Sequence, residues 1–469
     1  MVFSEPFFLF VFLPLALAAI LASVGRGHSG VILAFSFVFY YWASGWLTLL
    51  ILFSVIFNWA MGKAVARART RWPLWIGVGV NLGLLVFFKY TLFLTGTFDR
   101  LTGLAASDPF LWVILPVGIS FFTFQGVSYL VDVHRKDAEP ERDLIRFGAY
   151  LSFFPQLIAG PIVRFRDVIE DYRAPKISLE NASGGALRFA HGLAKKVIIA
   201  DGAGAVADAC FGLPAGELTF AAAWLGALAY AVQIYFDFSG YSDMAIGLGR
   251  ICGIRFLENF RHPYASSTVT EFWRRWHVSL STWFRDYLYI PLGGSRGGEA
   301  RTYANLFIVF VATGLWHGAA FTFLFWGLYH GAFLVAERVL FRGEAAKRMA
   351  LWMRAFYLLP VVVLGWVLFR ADSLGGAVHY YQSMASIFAS GAFALPVVVE
   401  GALTPYTVLA LGLGALSFVV PREPSLGVAL FEADGRPRLA AAAYGGGVLV
   451  LASAAALAAD FSPFLYFRF

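Results

Sequence analysis

Apolar residues along this chain fall into long blocks, and most of the charge is confined to the short segments between them. A helix needs roughly 20 predominantly apolar residues to cross a bilayer. Blocks of that kind occupy 7–23, 31–61, 74–95, 110–131, 185–209, 218–236, 302–316, 319–340, 352–369, 404–420 and 439–459. The pattern predicts about eleven membrane helices. The 31–61 block is too long for one upright helix, and its Tyr40-Tyr41-Trp42-Ala-Ser-Gly45 patch is the expected break.

Two further stretches do not read as spans. Phe153-Phe-Pro155-Gln-Leu-Ile-Ala-Gly160-Pro161 is short and punctuated, with arginines on both sides (Arg142 and Arg146, then Arg164 and Arg166). Irregular backbone is tolerated at membrane depth only under cover of protein or beside a water-filled cavity. A re-entrant segment lining a cavity is expected there. In 271–287, Phe272, Trp276, Leu280, Trp283 and Tyr287 fall on one stripe roughly 80° wide, with Arg274 and Arg285 opposite. That predicts one amphipathic helix along an interface or cavity wall, with His277 just off its apolar stripe.

Composition agrees with this reading. Of 469 residues, 59% are hydrophobic and 14% are charged, where soluble domains carry roughly 25% charge. The chain is expected to be a polytopic membrane protein. Its net charge of +7 sits mostly in loops, so the positive-inside rule explains it and nucleic-acid binding is not implied. Lys63, Arg67, Arg69 and Arg71 place their loop in the cytoplasm, as do His134-Arg135-Lys136, and the more acidic 96–109 then lies outside. Cys210 and Cys252 make no disulfide framework. Phe7–Ser23 lacks the basic flank of a secretory signal and reads as a retained helix.

Against this apolar background a few polar residues stand out. His317 ends the run Asn305-Leu-Phe-Ile-Val-Phe-Val-Ala-Thr-Gly-Leu-Trp316-His317-Gly318. An intramembrane imidazole is a functional candidate by default, and its ordinary pKa suits it to take a proton from a hydroxyl. The plain alternative is a buried histidine that only bonds a helix carbonyl. His330, in Tyr329-His330-Gly331, shapes a site or merely packs; His277, after Arg274-Arg275-Trp276, is a site residue or an ordinary interfacial histidine. Metal binding is not expected, because no two of these histidines stand at i,i+4 and no paired ligand motif accompanies them. Asp237 and Asp243 in Tyr235-Phe-Asp237-Phe-Ser239-Gly240-Tyr241-Ser242-Asp243 should face inward, orienting histidines, passing protons or clamping helices. No nucleophile elbow, phosphate loop or dinucleotide fingerprint occurs. What remains is a histidine base acting on two bound substrates.

Several stretches together resemble the membrane-bound O-acyltransferase (MBOAT) family, in particular its alginate-type branch that acetylates exported polysaccharide. They are Leu115-Pro-Val-Gly-Ile-Ser-Phe-Phe-Thr-Phe124, Leu157-Ile-Ala-Gly-Pro161 with Arg164-Phe-Arg166, Tyr235–Asp243, Glu271-Phe-Trp-Arg-Arg-Trp-His277, Phe284-Arg-Asp-Tyr-Leu-Tyr-Ile290, Trp316-His-Gly318 and Tyr329-His-Gly331. Beyond about residue 370 the likeness is loose, mainly hydropathy and the final Tyr-Phe-Arg-Phe.

The resemblance implies an all-α bundle of about eleven membrane helices, with re-entrant and interfacial helices around a central pore. It implies a single membrane domain over 1–469 with its catalytic part at about 110–370. His317 would be the histidine required for transfer and His277 the second of the site, with His330, Asp237, Asp243, Trp316 and Trp276 in support. No bound cofactor or metal is expected. Acetyl-CoA, or an acyl carrier, would supply the acyl group from the cytoplasm, with Arg164 and Arg166 as candidate contacts to donor phosphates. The acceptor would be an exported polysaccharide or a periplasmic esterase-like acetyltransferase partner, at the bacterial inner membrane. Peptidoglycan O-acetylation and D-alanyl transfer to teichoic acid are the close alternatives. A proton-coupled transporter or flippase is the alternative outside enzymes.

Overall fold

The computed structural model describes residues 3–25, 27–340, 354–419, 439–458 and 464–465. Among them the chain is helical and contains no strand. Among the described residues, three stretches are long and apolar enough to cross a membrane: His28–Arg67, Trp72–Thr102 and Phe220–Ile251. Shorter apolar helices include Phe8–Ala22, Phe356–Arg370, Pro405–Phe418 and Ala443–Ala458. The ends of the expected spans at 352–353, 420 and 459, and the final Tyr-Phe-Arg-Phe, lie outside the described residues.

The expected break in 31–61 is present. His28–Ser44 ends at Gly45, whose φ of 56° and ψ of −131° suit a residue without Cβ, and Thr48–Arg67 follows after one tight turn. Other limits differ from the apolar blocks. The 110–131 block becomes helical only at Ile119, after Gly118 at φ 74°. The 185–209 block is part of a longer helical path, Leu179–Ala194, a π-turn at Lys195–Ala200 and Asp201–Phe211. Phe220–Ile251 runs past the expected end at 236, carrying Asp237 and Asp243 inside the helix. Hydropathy marks where side chains are apolar, whereas backbone hydrogen bonding carries a helix onward through polar residues.

Backbone proximity divides the chain into two units. The first holds Met1–Ala190, Tyr241–Glu258 and Ala433–Gly446. In it, reciprocal side-chain amide bonds between Asn58 and Asn81 (2.8 and 3.2 Å) tie Thr48–Arg67 to Trp72–Thr102, the kind of polar tie that joins membrane helices. Gly126 makes room for this pair: a Cβ there would lie 2.8 Å from Asn58 Nδ2. The expected re-entrant stretch is a short helix, Phe154–Leu157, flanked by irregular backbone, and all of 153–163 is buried. Phe154 packs among Phe3, Phe8, Phe12 and Phe39.

The second unit holds His191–Gly240, Asn259–Glu432 and Gly447–Phe469. Its central feature is the hairpin of Glu299–His317 and Phe321–Leu340. A Cβ on Gly314 would run into the Phe323 carbonyl oxygen, and one on Gly327 into that of Phe310. Small residues thus let the two backbones meet, as in other tightly packed membrane helices.

Most of the amphipathic stripe over 271–287 buries as expected: Phe272, Trp276, Leu280 and Trp283 are inside, Tyr287 is half-buried, and Arg274 and Arg285 are exposed. The single helix, however, does not form. Val269–Arg275 stops, His277 takes a left-handed φ of 45°, and Val278–Phe284 begins anew, followed by a π-turn at Arg285–Tyr289. A left-handed non-glycine residue costs on the order of 1–3 kcal/mol and persists only where the surroundings impose it.

Candidate active site

The break at His277 is imposed by Asn259. The Asn259 backbone carbonyl accepts from the Val278 N–H (2.9 Å), and its side-chain oxygen accepts from the Ser279 N–H (3.1 Å). These bonds take up N–H groups at the start of Val278–Phe284 that have no partner within the helix. The preceding helix is pinned at its other end. Glu337 accepts from the Val269 and Thr270 N–H groups (2.5 and 2.8 Å), a carboxylate placed at a helix N-terminus, and the Thr268 hydroxyl caps Glu271.

Held in this way, His277 is 1% exposed. Its ring meets Phe238 edge-on at 4.6 Å and faces Trp316 at 5.9 Å. Nδ1 approaches Asn259 Oδ1 at 3.2 Å, and Nε2 is buried with no hydrogen-bond partner. The segment is too short to span, and burial pushes its imidazole down to about 3, since a charged ring would lose its water.

His317 is the last residue of Glu299–His317 and is 6% exposed. Gly318 ends the helix in an extended conformation, and the Phe323 ring fills the space a Cβ would occupy there. The imidazole is boxed by Trp316, Trp326 and Phe369, with ring centroids at 5.0, 5.2 and 5.1 Å. His330, 1% exposed, packs edge-to-face with Trp326 at 5.0 Å and with Trp273 at 5.0 Å, and its Nδ1 has no hydrogen-bond partner. A Cβ on Gly365 would lie 2.6 Å from His330 Nε2, so that glycine admits the ring.

Three histidines and two indoles therefore alternate in the order His277, Trp316, His317, Trp326, His330, with successive centroids 5.9, 5.0, 5.2 and 5.0 Å apart. Indoles between the imidazoles keep them from sharing one ion, and among the described residues no group of three His, Cys, Asp or Glu is placed to hold a metal. The arrangement places three imidazoles in a water-poor, aromatic enclosure. The Nε1–H groups of Trp273 and Trp326 are buried donors without a partner beside it.

The other expected residues lie elsewhere. Trp276 joins an aromatic layer with Phe260, Phe272 and Trp366. Asp237 receives Lys196 Nζ at 2.6 Å and the Leu465 N–H at 2.8 Å, and Lys196 also reaches Asp201 at 2.8 Å. Asp243 belongs to the first unit, where Arg188 bridges it and Glu258. Arg164 and Arg166, also in the first unit, are engaged by Asp167 (2.7 Å) and by Asp132 and Asp137 (3.2 and 3.1 Å).

Sequence reasoning missed Asn259, Trp326, Trp273, Phe369 and Lys196. A tryptophan deep in an apolar block, away from the interfacial belt where tryptophans gather, is the signal by which Trp326 was open to detection but was not read. Nothing local marks Asn259, eighteen positions before its histidine.

Apolar helices that bury histidines at the end of a tight hairpin define a candidate site within a membrane protein. Residues 119–374 match the model of MBOAT, the membrane-bound O-acyltransferase family. The chain is 43% identical to "Probable alginate O-acetylase AlgI" of Pseudomonas putida, over the full length of both. It is 35% identical to the peptidoglycan O-acetyltransferase of Helicobacter pylori, over 82% of this chain and 80% of that one. It is 31% identical to the teichoic acid D-alanyltransferase of Bacillus subtilis, over 46% and 58%. The chain belongs to the membrane-bound O-acyltransferase family and is a membrane acyltransferase.

Proposed function

We propose that the protein transfers acetyl groups from a cytoplasmic thioester, acetyl-CoA or an acyl carrier, to hydroxyls of an exported alginate-type polysaccharide. The acceptor is the polymer itself or a periplasmic esterase-like partner that passes the group on. The site is the bacterial inner membrane, and the whole of 1–469 acts as one catalytic module of about eleven spans around a pore, with the core at about 110–370. What carries this reading is the placement of His317: a buried imidazole at a helix end, inside an aromatic box, in a chain whose full-length relatives include a protein named for alginate O-acetylation.

His317 takes the hydroxyl proton as the oxygen attacks the thioester carbonyl and returns it to the sulfur as the C–S bond breaks, so the donor leaves as a free thiol, while His277 orients the second substrate. Base catalysis of this kind gives about 10²–10⁴-fold, and holding both reactants replaces an improbable encounter. Trp316 supports His317 by direct ring contact, and His330 supports it through Trp326. Asp237 and Asp243 act at one remove, through Lys196 and Arg188. Arg164 and Arg166 contact the donor phosphates by exchanging the carboxylates that now hold them.

The test is His317→Ala in an alginate-exporting host lacking its own acetylase. Acetyl content of the exported polymer should fall to background while the amount of polymer exported is unchanged. Retained acetylation overturns the assignment of His317, and reduced export with full acetylation favours a transporter.

A further inference from the structure

The two nitrogens of His277 have different surroundings. Nδ1 lies 3.2 Å from Asn259 Oδ1 and 3.3 Å from Ser279 Oγ, whereas Nε2 is buried and meets no partner. The amide atoms of Asn259 can be told apart from the chain itself. The Ser279 backbone N–H is aimed at the side chain at 3.1 Å. A backbone N–H only donates, so the atom facing it is the oxygen.

That same oxygen receives the Ser279 hydroxyl at 2.9 Å. The hydroxyl has one proton, and its shorter contact is this one. An amide oxygen only accepts, so the imidazole nitrogen at 3.2 Å must bring a proton of its own. The opposite tautomer would set two lone pairs face to face and bury an Nε2–H with no acceptor, which leaves a donor stripped of water and unsatisfied.

Resting on the acyl-transfer reading above, we infer that Asn259 is a positioning residue that locks His277 as its Nδ1–H tautomer, so that Nε2 presents a lone pair to a hydroxyl of the incoming alcohol. A lone pair cannot polarise a thioester carbonyl, which needs a donor. His277 therefore grips the alcohol and not the acyl group. The lock has two parts. The Asn259 backbone carbonyl fixes the left-handed turn through Val278, and the side chain fixes the ring. Phe238 and Trp316 then hold the ring plane.

The test is solid-state NMR of the full-length protein in lipid nanodiscs with ring-15N histidine, His277 being assigned by its loss in His277→Gln. Wild type should show a protonated Nδ1 and an unprotonated Nε2. Asn259→Leu should move the proton to Nε2, while Asn259→Asp and Ser279→Ala keep it on Nδ1. In transfer from acetyl-CoA to alginate oligosaccharide, Asn259→Leu should raise the oligosaccharide KM and lower kcat about tenfold or more, with the acetyl-CoA KM little changed. Asn259→Asp should recover most of that loss. Should Asn259→Leu fail to fold, Asn259→Asp still decides, because its carboxylate must raise the pH at which His277 takes up a second proton. A wild-type Nε2–H tautomer, an unmoved proton in Asn259→Leu, or an unmoved titration in Asn259→Asp overturns the inference. The tautomer is read without substrate. Absent transfer by wild type with the expected tautomer would sink direct acetylation of the polymer and leave the tautomer assignment standing.

Discussion

Gly314 and Gly327 face each other across the hairpin that carries His317: a Cβ on Gly314 would lie 3.2 Å from Gly327 Cα, besides striking the Phe323 carbonyl. Three residues separate Gly314 from the end of its helix, so any change in the helix spacing there is passed to the imidazole. Gly314→Ala should cost ~1–3 kcal/mol through overpacking and cut transfer more than it cuts expression. Gly327→Ala should do likewise. The double variant should lose less than the two losses together, because one displacement relieves both contacts. Thermal unfolding in detergent, beside an acetylation assay, reads both effects.

Trp326 touches both His317 and His330 through its ring faces and edges. If it acts as a spacer, ring bulk matters more than the N–H. Trp326→Phe should keep most of the acetylation and stability. Trp326→Ala should lose ~3–5 kcal/mol and nearly all transfer. Equal loss in both variants would instead give the indole N–H a direct role.

Lys196 is 1% exposed between Asp237 and Asp201. Removing only the cation strips the buried Asp237 carboxylate of its counter-ion, and breaking a buried pair this way typically costs ~3–5 kcal/mol. Lys196→Met should therefore reduce the folded protein recovered from membranes. Adding Asp237→Asn to Lys196→Met should restore part of it, as judged by quantitative blotting and unfolding temperature.

His277 is held neutral by burial, with its pKa depressed to about 3. The sign follows from linkage. Between the unfolded value near 6.5 and the folded one, the unfolded chain binds a proton that the folded chain refuses, so stability falls as pH falls through that window. The unfolding temperature of wild type should drop more steeply from pH 6.5 to 4 than that of His277→Gln. Parallel curves would mean that the ring accepts a proton in place.

The helical bundle was legible in the sequence because hydropathy is a local property. Long apolar blocks must be satisfied by their own backbone in lipid, and Gly45 and Gly318 ended helices where the chain showed a break. The two histidines of the hairpin were legible for the same reason: an imidazole in an apolar block stands out against its neighbours. The amphipathic stripe over 271–287 named the buried faces correctly, yet it carried no sign that the helix stops at His277. A periodic pattern survives a break that returns the chain to the same side.

The amino-acid sequence by itself therefore determined the class of protein, the family and the candidate histidines. Only the tertiary structure decided how those histidines are presented: indoles interleaved between imidazoles, Asn259 on Nδ1 of His277, Lys196 between two carboxylates. Each of these depends on at least one contact between residues distant in the chain, His277 with Trp316, Asn259 with His277 and Lys196 with Asp237, and a contact across such a separation is set by packing, which no local pattern encodes.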